Sequence, residues 1–185
     1  MSFETAKQWE NWLAKNYDIK DGVWLRIQKK DSKEKSVAYN EALDAALCYG
    51  WIDGQKKPYD EDSWLQRFIH RSPRSGWSKK NIGNVKRLIR AGRMKRPGLA
   101  AVEAAISDGR WESAYDSQGS SKIPEYFLKE LSRNEKAYAF FKSLDKTDLY
   151  SIAYRLQTAR KPETKERRMK KILDMMAKGK KFHEK

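Results

Sequence analysis

The stretch that decides the fold of the first half runs from residue 51 to residue 71 and reads WIDGQKKPYDEDSWLQRFIHR. Its ends, residues 51–55 and 63–71, are rich in β-forming side chains, and the turn-rich KKPYDED lies between them. This pattern predicts two strands joined by a loop. Upstream, a glycine precedes residues 23–28, in which two sets of side chains alternate: Val23, Leu25 and Ile27 against Trp24, Arg26 and Gln28. The alternation predicts a third strand.

Helical patterns surround these strands. Apolar residues recur at helical spacing over residues 3–15, where Thr5 and Gln8 occupy capping-box positions. A helix is predicted from Asn40 to Leu47, and the chain is helical from Ser78 onward. Further helices are predicted at 97–109, 124–131, 135–143, 146–158 and 162–178. The sequence therefore predicts an α+β protein, mostly helical, with a small antiparallel or mixed sheet of about three strands in the N-terminal half and a C-terminal helical bundle.

One stretch resembles a linker. DSQGSS, residues 116–121, interrupts the apolar periodicity between segments that each have helical stripes of their own. We therefore expect two domains, an α+β domain at residues 1–116 and a helical domain at residues 122–185.

Composition bounds the class of protein. Of the 185 residues, 39% are hydrophobic and seven are tryptophan, enough for a packed core. No apolar run approaches the roughly 18 residues of a membrane span, and the start MSFETAKQWENW lacks a basic and apolar leader pattern. Cys48 is the single cysteine, and the two histidines add no zinc-binding spacing. We expect a cytoplasmic protein with no cofactor and no metal site.

The net charge of +15 is concentrated in two parts of the chain. Residues 1–60 are neutral, whereas residues 63–102 contain eleven Lys or Arg and no acid. Residues 160–185 contain eleven basic residues against four acidic ones. Such concentration favours an anionic partner, although a solvated surface also produces charge runs.

The helix that starts at Ser78 carries much of this charge. At 100° per residue its apolar stripe lies opposite a cationic face. The apolar stripe consists of Ile82, Val85, Leu88 and Ile89, and the cationic face of Lys79, Lys86, Arg90 and Arg93, with Arg87 at its edge. No acid is interleaved, so the repulsion is predicted to be uncompensated. The backbone N–H groups at Ser78, near Arg71 and Arg74, would suit a phosphate or carboxylate, or simply a helix cap.

Aromatic and polar residues of the two paired strands suggest a second possibility. Trp51 shares a strand face with Asp53 and Gln55, and Trp64 shares one with Gln66. These faces would line a small-ligand pocket or pack as core. Trp77 lies in a basic loop, where its ring would stack on a base or planar ligand, or staple the following helix.

A nucleophile triad finds little support in the sequence. Cys48, His70 and Asp53 supply the residue types, but Cys48 ends the apolar segment ALDAALC. A buried, inert thiol is typical of such a position.

Several long motifs carry a resemblance to a known family. ALCYGWIDGQKKPYDEDSWLQRF, SPRSGWSKKN and AGRM, followed by IPEYFLKEL, AYAFFKSL and TARKPETKERRMKKILDMMAKGKK, resemble the bacteriocin-protection, YdeI/OmpD-associated family of bacterial proteins. The resemblance extends over nearly the whole chain. It implies a small cytoplasmic bacterial protein linked to envelope stress and bacteriocin tolerance, and it supplies no catalytic residues.

The leading hypothesis is a binding protein whose basic face or cleft holds an anionic partner: a small molecule, a nucleic acid or an acidic protein surface. The predicted binding residues are Arg67, Arg71, Arg74, Trp77, Ser78, Lys79, Lys86 and Arg90. The first alternative is an enzyme for a small anionic substrate, with Trp51, Asp53, Gln55 and Gln66 in the pocket wall and the same arginines as clamps. The second alternative is non-specific binding of nucleic acid.

Overall fold

The structure, a computed structural model, describes residues 1–117 and 119–182. The chain forms two compact units. The first comprises residues 1–75 and 81–111, and the second comprises residues 76–80 together with the chain from residue 112 onward. Gln118, inside the predicted linker, lies outside the described residues.

The first unit combines a three-stranded sheet with helices. Its elements are α1 (Ala6–Asn16), β1 (Val23–Gln28), α2 (Tyr39–Cys48), β2 (Trp51–Pro58), β3 (Ser63–His70), α3 (Lys79–Arg90) and α4 (Arg96–Ser107). The first two residues of α3 belong to the second unit. The strand order is β1-β3-β2, and both pairs are antiparallel.

The register of the sheet defines its two faces. Leu25 lies opposite Gln66 and Asp53 lies opposite Phe68, so these residues share one face. Helices α1 and α2 belong to this face, because the centre of the Trp9 ring lies 5.7 Å from that of Phe68 and 6.4 Å from that of Trp51. The Trp9 indole N–H also donates to the Ala42 carbonyl at 3.0 Å. Leu25 and Phe68 are fully buried there, which makes this face the core of the unit.

Helix starts follow their caps. The Thr5–Gln8 capping box is confirmed, with both hydrogen bonds at 3.3 Å, and α1 begins directly after it at Ala6. The α2 helix begins at Tyr39 and not at Asn40, because the Glu41 carboxylate accepts from the Ala38 N–H.

The second unit contains α5 (Glu125–Leu131), α6 (Glu135–Lys142), α7 (Lys146–Gln157) and α8 (Pro162–Ala177). Their apolar stripes meet in one core that includes Phe127, Leu131, Ile152 and Ile172. The predicted fold class is confirmed: a three-stranded antiparallel sheet in the N-terminal half and helices in the C-terminal half. Within the described part of the chain, no helix has the length and apolar content required to cross a bilayer.

Candidate functional site

The core-facing side of α3 is rotated from the predicted stripe. Val85 and Leu88 are fully buried, as predicted, and Asn81 is buried beside them. Ile89 is 44% exposed, so its placement in the core was wrong. At 100° per residue, the centre of the buried side falls between Val85 and Leu88, and Ile89 lies at its edge.

The cationic side of α3 is partly neutralised by an acid of α2. Arg87 donates to both Asp44 oxygens at 2.7 Å, and Arg93 lies 4.0 Å from the same carboxylate. The prediction of uncompensated charge is therefore wrong for these two arginines. Lys86 and Arg90 are exposed, and their side chains make no hydrogen bond or ion pair with the rest of the described chain.

The three arginines that precede α3 have different environments. Arg67 donates to the Asp21 carbonyl at 2.9 Å and remains partly exposed. Arg71 is only 6% exposed, and its backbone N–H donates to the Gly50 carbonyl. Arg74 is exposed. A surface ligand therefore has access to Arg67 and Arg74 but little access to Arg71.

The residues Trp77, Ser78 and Lys79 belong to the second unit. Trp77 is 2% exposed, so its ring presents no open face for stacking, and its role as a packing residue is favoured. A short parallel bridge joins Ser78 to Tyr115, in which the Lys79 N–H donates to the Tyr115 carbonyl at 2.9 Å. One of the N–H groups expected to receive an anion is thus already bonded. The Lys79 ammonium pairs with Asp116 at 2.7 Å.

The predicted pocket wall is only partly formed. Trp51 is buried, and its indole N–H donates to the Tyr17 carbonyl. Asp53 shares the Trp51 face and accepts from the Tyr39 hydroxyl at 2.7 Å. Burial and this carboxylate raise the pKa of Tyr39 above its usual value. The polar groups that were expected to face a substrate are therefore bonded within the protein.

A β-bulge separates Gln55 from that wall. The register of β2 shifts between Asp53 and Lys56, so that Lys56, and not Gln55, lies opposite Gln66. Gln55 is exposed, and the Gln66 side chain donates to the Gly54 and Gln55 carbonyls at 3.2 Å. Gln66 therefore holds the bulge in place.

Cys48 lies in the core and is fully buried. Burial raises the pKa of its thiol to about 11, which keeps the sulfur protonated at neutral pH. The expectation of an inert thiol agrees with this environment. No cluster of three or more metal-binding side chains occurs among the described residues.

The sheet carries an aromatic and cationic cluster that sequence reasoning did not identify as a site. Trp24 lies directly opposite Arg67, and the Lys57 ammonium lies 4.5 Å from the centre of the Trp24 ring. Tyr59, which is 59% exposed, lies 5.3 Å from the Arg26 guanidinium. The alternation of Trp24 and Arg26 with core residues was the available signal, but the sequence does not show that Lys57 reaches the same ring.

Two family models match different parts of the chain. Residues 120–179 match the family model described as Bacteriocin-protection, YdeI or OmpD-Associated, which confirms the predicted family for this part of the chain. Residues 1–101 match a different family model. The match to the bacteriocin-protection model therefore covers residues 120–179 and not nearly the whole chain. No curated protein and no solved structure matches the chain. Because the model for residues 1–101 covers more than half of the sequence, the chain belongs to the family described as a domain of unknown function (DUF8412).

Proposed function

We propose that this protein is a binding protein that holds an anionic partner on the exposed cations of α3. The observation that supports it is the contrast within one helix. Arg87 is neutralised by Asp44, whereas Lys86 and Arg90 have no acidic partner in the described chain. Both lie on the side of α3 away from Val85 and Leu88, which anchor the helix in the core.

The electrostatics of the surroundings favour occupation by an anion. Lys86 and Arg90 are four residues apart, so their like charges are neighbours on the helix surface and repel each other. No acid occurs in residues 63–102, and Asp44, the acid that lies against α3, pairs with Arg87 and Arg93 and not with Lys86 or Arg90. A chain with a net charge of +15 also attracts polyanions over distances of about a Debye length.

The test replaces both cations, as Lys86→Glu/Arg90→Glu, and measures the affinity for a fluorescent heparin fragment by anisotropy. Each exposed ion contact is worth up to about 1 kcal/mol, so losing two should weaken binding about tenfold. Both side chains are exposed, so the stability of the fold should change by no more than about 0.5 kcal/mol.

The matched control is Lys7→Glu/Lys33→Glu, which changes the net charge by the same amount at exposed positions of the same unit. Equal losses in both double variants would show that only net charge matters, and the α3 proposal would then be wrong. A large drop in melting temperature for the α3 variant would also contradict it, because the two cations would then be structural.

The biological setting is part of this proposal. The description of the family model at residues 120–179 supports a role in bacteriocin protection, which we place in the bacterial cytoplasm and link to envelope stress. The same two variants test it in bacteria made dependent on this protein for survival of a bacteriocin. Only the α3 variant should fail to protect the cells.

A further inference from the structure

The sheet of the first unit has a second face, opposite the one that carries Leu25 and Phe68. The strand pairing assigns its members, because the bulge in β2 interrupts simple alternation in that strand. They are Trp24, Arg26 and Gln28 of β1, Ser63, Leu65, Arg67 and Ile69 of β3, and Ile52 and Lys57 of β2. Ser63 is buried, Lys57 is exposed and the others are partly exposed, whereas the core face contains the almost fully buried Leu25, Ile27, Trp51 and Phe68. This outer face therefore mixes apolar, aromatic and cationic groups at the protein surface.

Trp24 is the centre of this outer face. Arg67 lies directly across from it on β3, with its guanidinium 6.0 Å from the ring centre, and the Lys57 ammonium lies 4.5 Å from the ring. Neither cation forms an ion pair with an acid of the described chain. The only side-chain hydrogen bond of Arg67 in the described chain goes to a backbone carbonyl, that of Asp21. Two positive charges are thus placed beside one indole and keep their capacity to bind an anion.

A second aromatic ring lies at the β2–β3 loop. Tyr59 is 59% exposed and contacts the Arg26 guanidinium. Arg26 itself is neutralised by Asp60 at 3.0 Å and Glu34 at 3.3 Å. The cationic charge that remains without an acidic partner is therefore beside Trp24, and Tyr59 adds an exposed ring close to the end of the same sheet.

We infer that this outer face binds single-stranded nucleic acid, with bases stacked on Trp24 and Tyr59 and phosphates held by Lys57 and Arg67. Surfaces that combine open aromatic rings with unpaired cations suit an unpaired strand, because every base has a ring face and every link carries a negative charge. In a duplex the base faces are stacked on each other and are not accessible to the rings. An acidic protein surface offers carboxylates to the cations but no bases to stack on the exposed rings.

The contact between Lys57 and Trp24 does not prevent stacking. Lysine has a flexible four-carbon stem, and an exposed cation–π contact is weaker than the stack of a base on an aromatic ring. A base can therefore replace the ammonium over the indole. The displaced ammonium then lies close to the phosphate of the same nucleotide.

The experiment measures the affinity of the full chain for three labelled probes by fluorescence anisotropy. The probes are a short oligothymidylate, an abasic oligomer of equal length and a duplex. We expect the oligothymidylate to bind most tightly. Trp24→Leu should weaken the affinity for oligothymidylate about tenfold and leave the affinity for the abasic oligomer unchanged. Tyr59→Leu gives the same comparison at a highly exposed side chain, in case Trp24→Leu perturbs folding.

Two adjacent lysines provide a matched pair for the phosphate contacts. Lys57 lies on the outer face, whereas Lys56 lies on the opposite face over the Trp64 ring. Lys57→Gln should weaken the binding of both the oligothymidylate and the abasic oligomer. It should also reduce the slope of log K against log salt concentration by about 0.7, which corresponds to the loss of one phosphate contact to a single strand. Lys56→Gln removes the same charge and should leave the slope nearly unchanged.

Three results would overturn the inference: no binding at low salt, duplex binding as tight as single-strand binding, or equal effects of the two lysine variants. Unchanged affinity in both aromatic variants would also overturn it. The inference does not rest on the α3 proposal. In Lys86→Glu/Arg90→Glu, the preference for oligothymidylate over the abasic oligomer should persist even where heparin binding is lost.

Discussion

Gly98 lies in α4 where this helix packs against the end of α2. A Cβ atom at this position would lie 2.7 Å from the Cys48 carbonyl carbon and 2.9 Å from the Leu47 oxygen, and it would also contact the Cys48 oxygen. All three are backbone atoms of α2, so no side chain can rotate away. The Lys95 N–H donates to the same Cys48 carbonyl at 3.0 Å. We therefore expect Gly98→Ala to force the two helices apart.

The size of the effect follows from two opposing contributions. Alanine in place of glycine favours a helix by about 1 kcal/mol. Overpacking a close contact costs about 1–3 kcal/mol, and rigid backbone neighbours place Gly98 at the upper end of that range. The net expectation is a loss of about 2 kcal/mol in the free energy of unfolding.

Gly83 provides the control within the same unit. It is an exposed helical glycine of α3, and a Cβ atom there would meet nothing within 4 Å. Gly83→Ala should therefore raise stability by roughly 0.5–1 kcal/mol. The two identical substitutions are predicted to have opposite signs.

Urea unfolding followed by tryptophan fluorescence measures this difference. Six of the seven tryptophans lie in residues 1–75 and 81–111, so the signal reports mainly the first unit. The close approach of α4 to α2 would be refuted if Gly98→Ala were as stable as Gly83→Ala.

Two further predictions concern titratable groups. Because burial raises the pKa of Cys48 to about 11, iodoacetamide at pH 8 should modify it only after unfolding in urea, and rapid modification of the native chain would contradict its burial. Lys79 and Gln157 lower the pKa of Asp116 below its value in the unfolded chain. Its carboxylate therefore adds stability above about pH 4, at most about 1 kcal/mol, and loses it as the pH falls through the folded pKa. The melting temperature of Asp116→Asn should be lower than that of the wild type at pH 7 and equal to it near pH 2. An equal difference in melting temperature at both pH values would be inconsistent with this role.

Local patterns predicted the elements of the fold. They failed where contacts between residues that are distant in sequence determine the structure. Alternation over residues 23–28 identified β1, and Thr5 with Gln8 identified the start of α1, because both signals are complete within a few residues. The bulge in β2 exchanged the faces of Gln55 and Lys56, and a sequence pattern with a period of two cannot show where a register shift occurs.

The charge on α3 shows the same limit for the candidate site. A scan along residues 63–102 finds no acid, but Asp44 lies 43 residues before Arg87 and pairs with it. A count of local charges therefore overestimated the number of available cations. Lys86 and Arg90 were predicted as binding residues from the sequence, but only the tertiary structure distinguishes them from Arg87 and Arg93, which pair with Asp44.

The cluster around Trp24 depends on the order of the strands, which is why the sequence did not reveal it. Lys57 is 33 residues from Trp24 in the chain, and its side chain reaches the Trp24 ring across β3, which lies between β1 and β2. With β1 at the other edge, beside β2, Arg67 would no longer lie opposite Trp24. Lys56 and Lys57 are indistinguishable in composition, yet the bulge and the pleat direct them to different tryptophans on different faces. Comparing the single-glutamine variants of these two lysines therefore tests which face of the sheet binds the strand, because both variants have the same net charge.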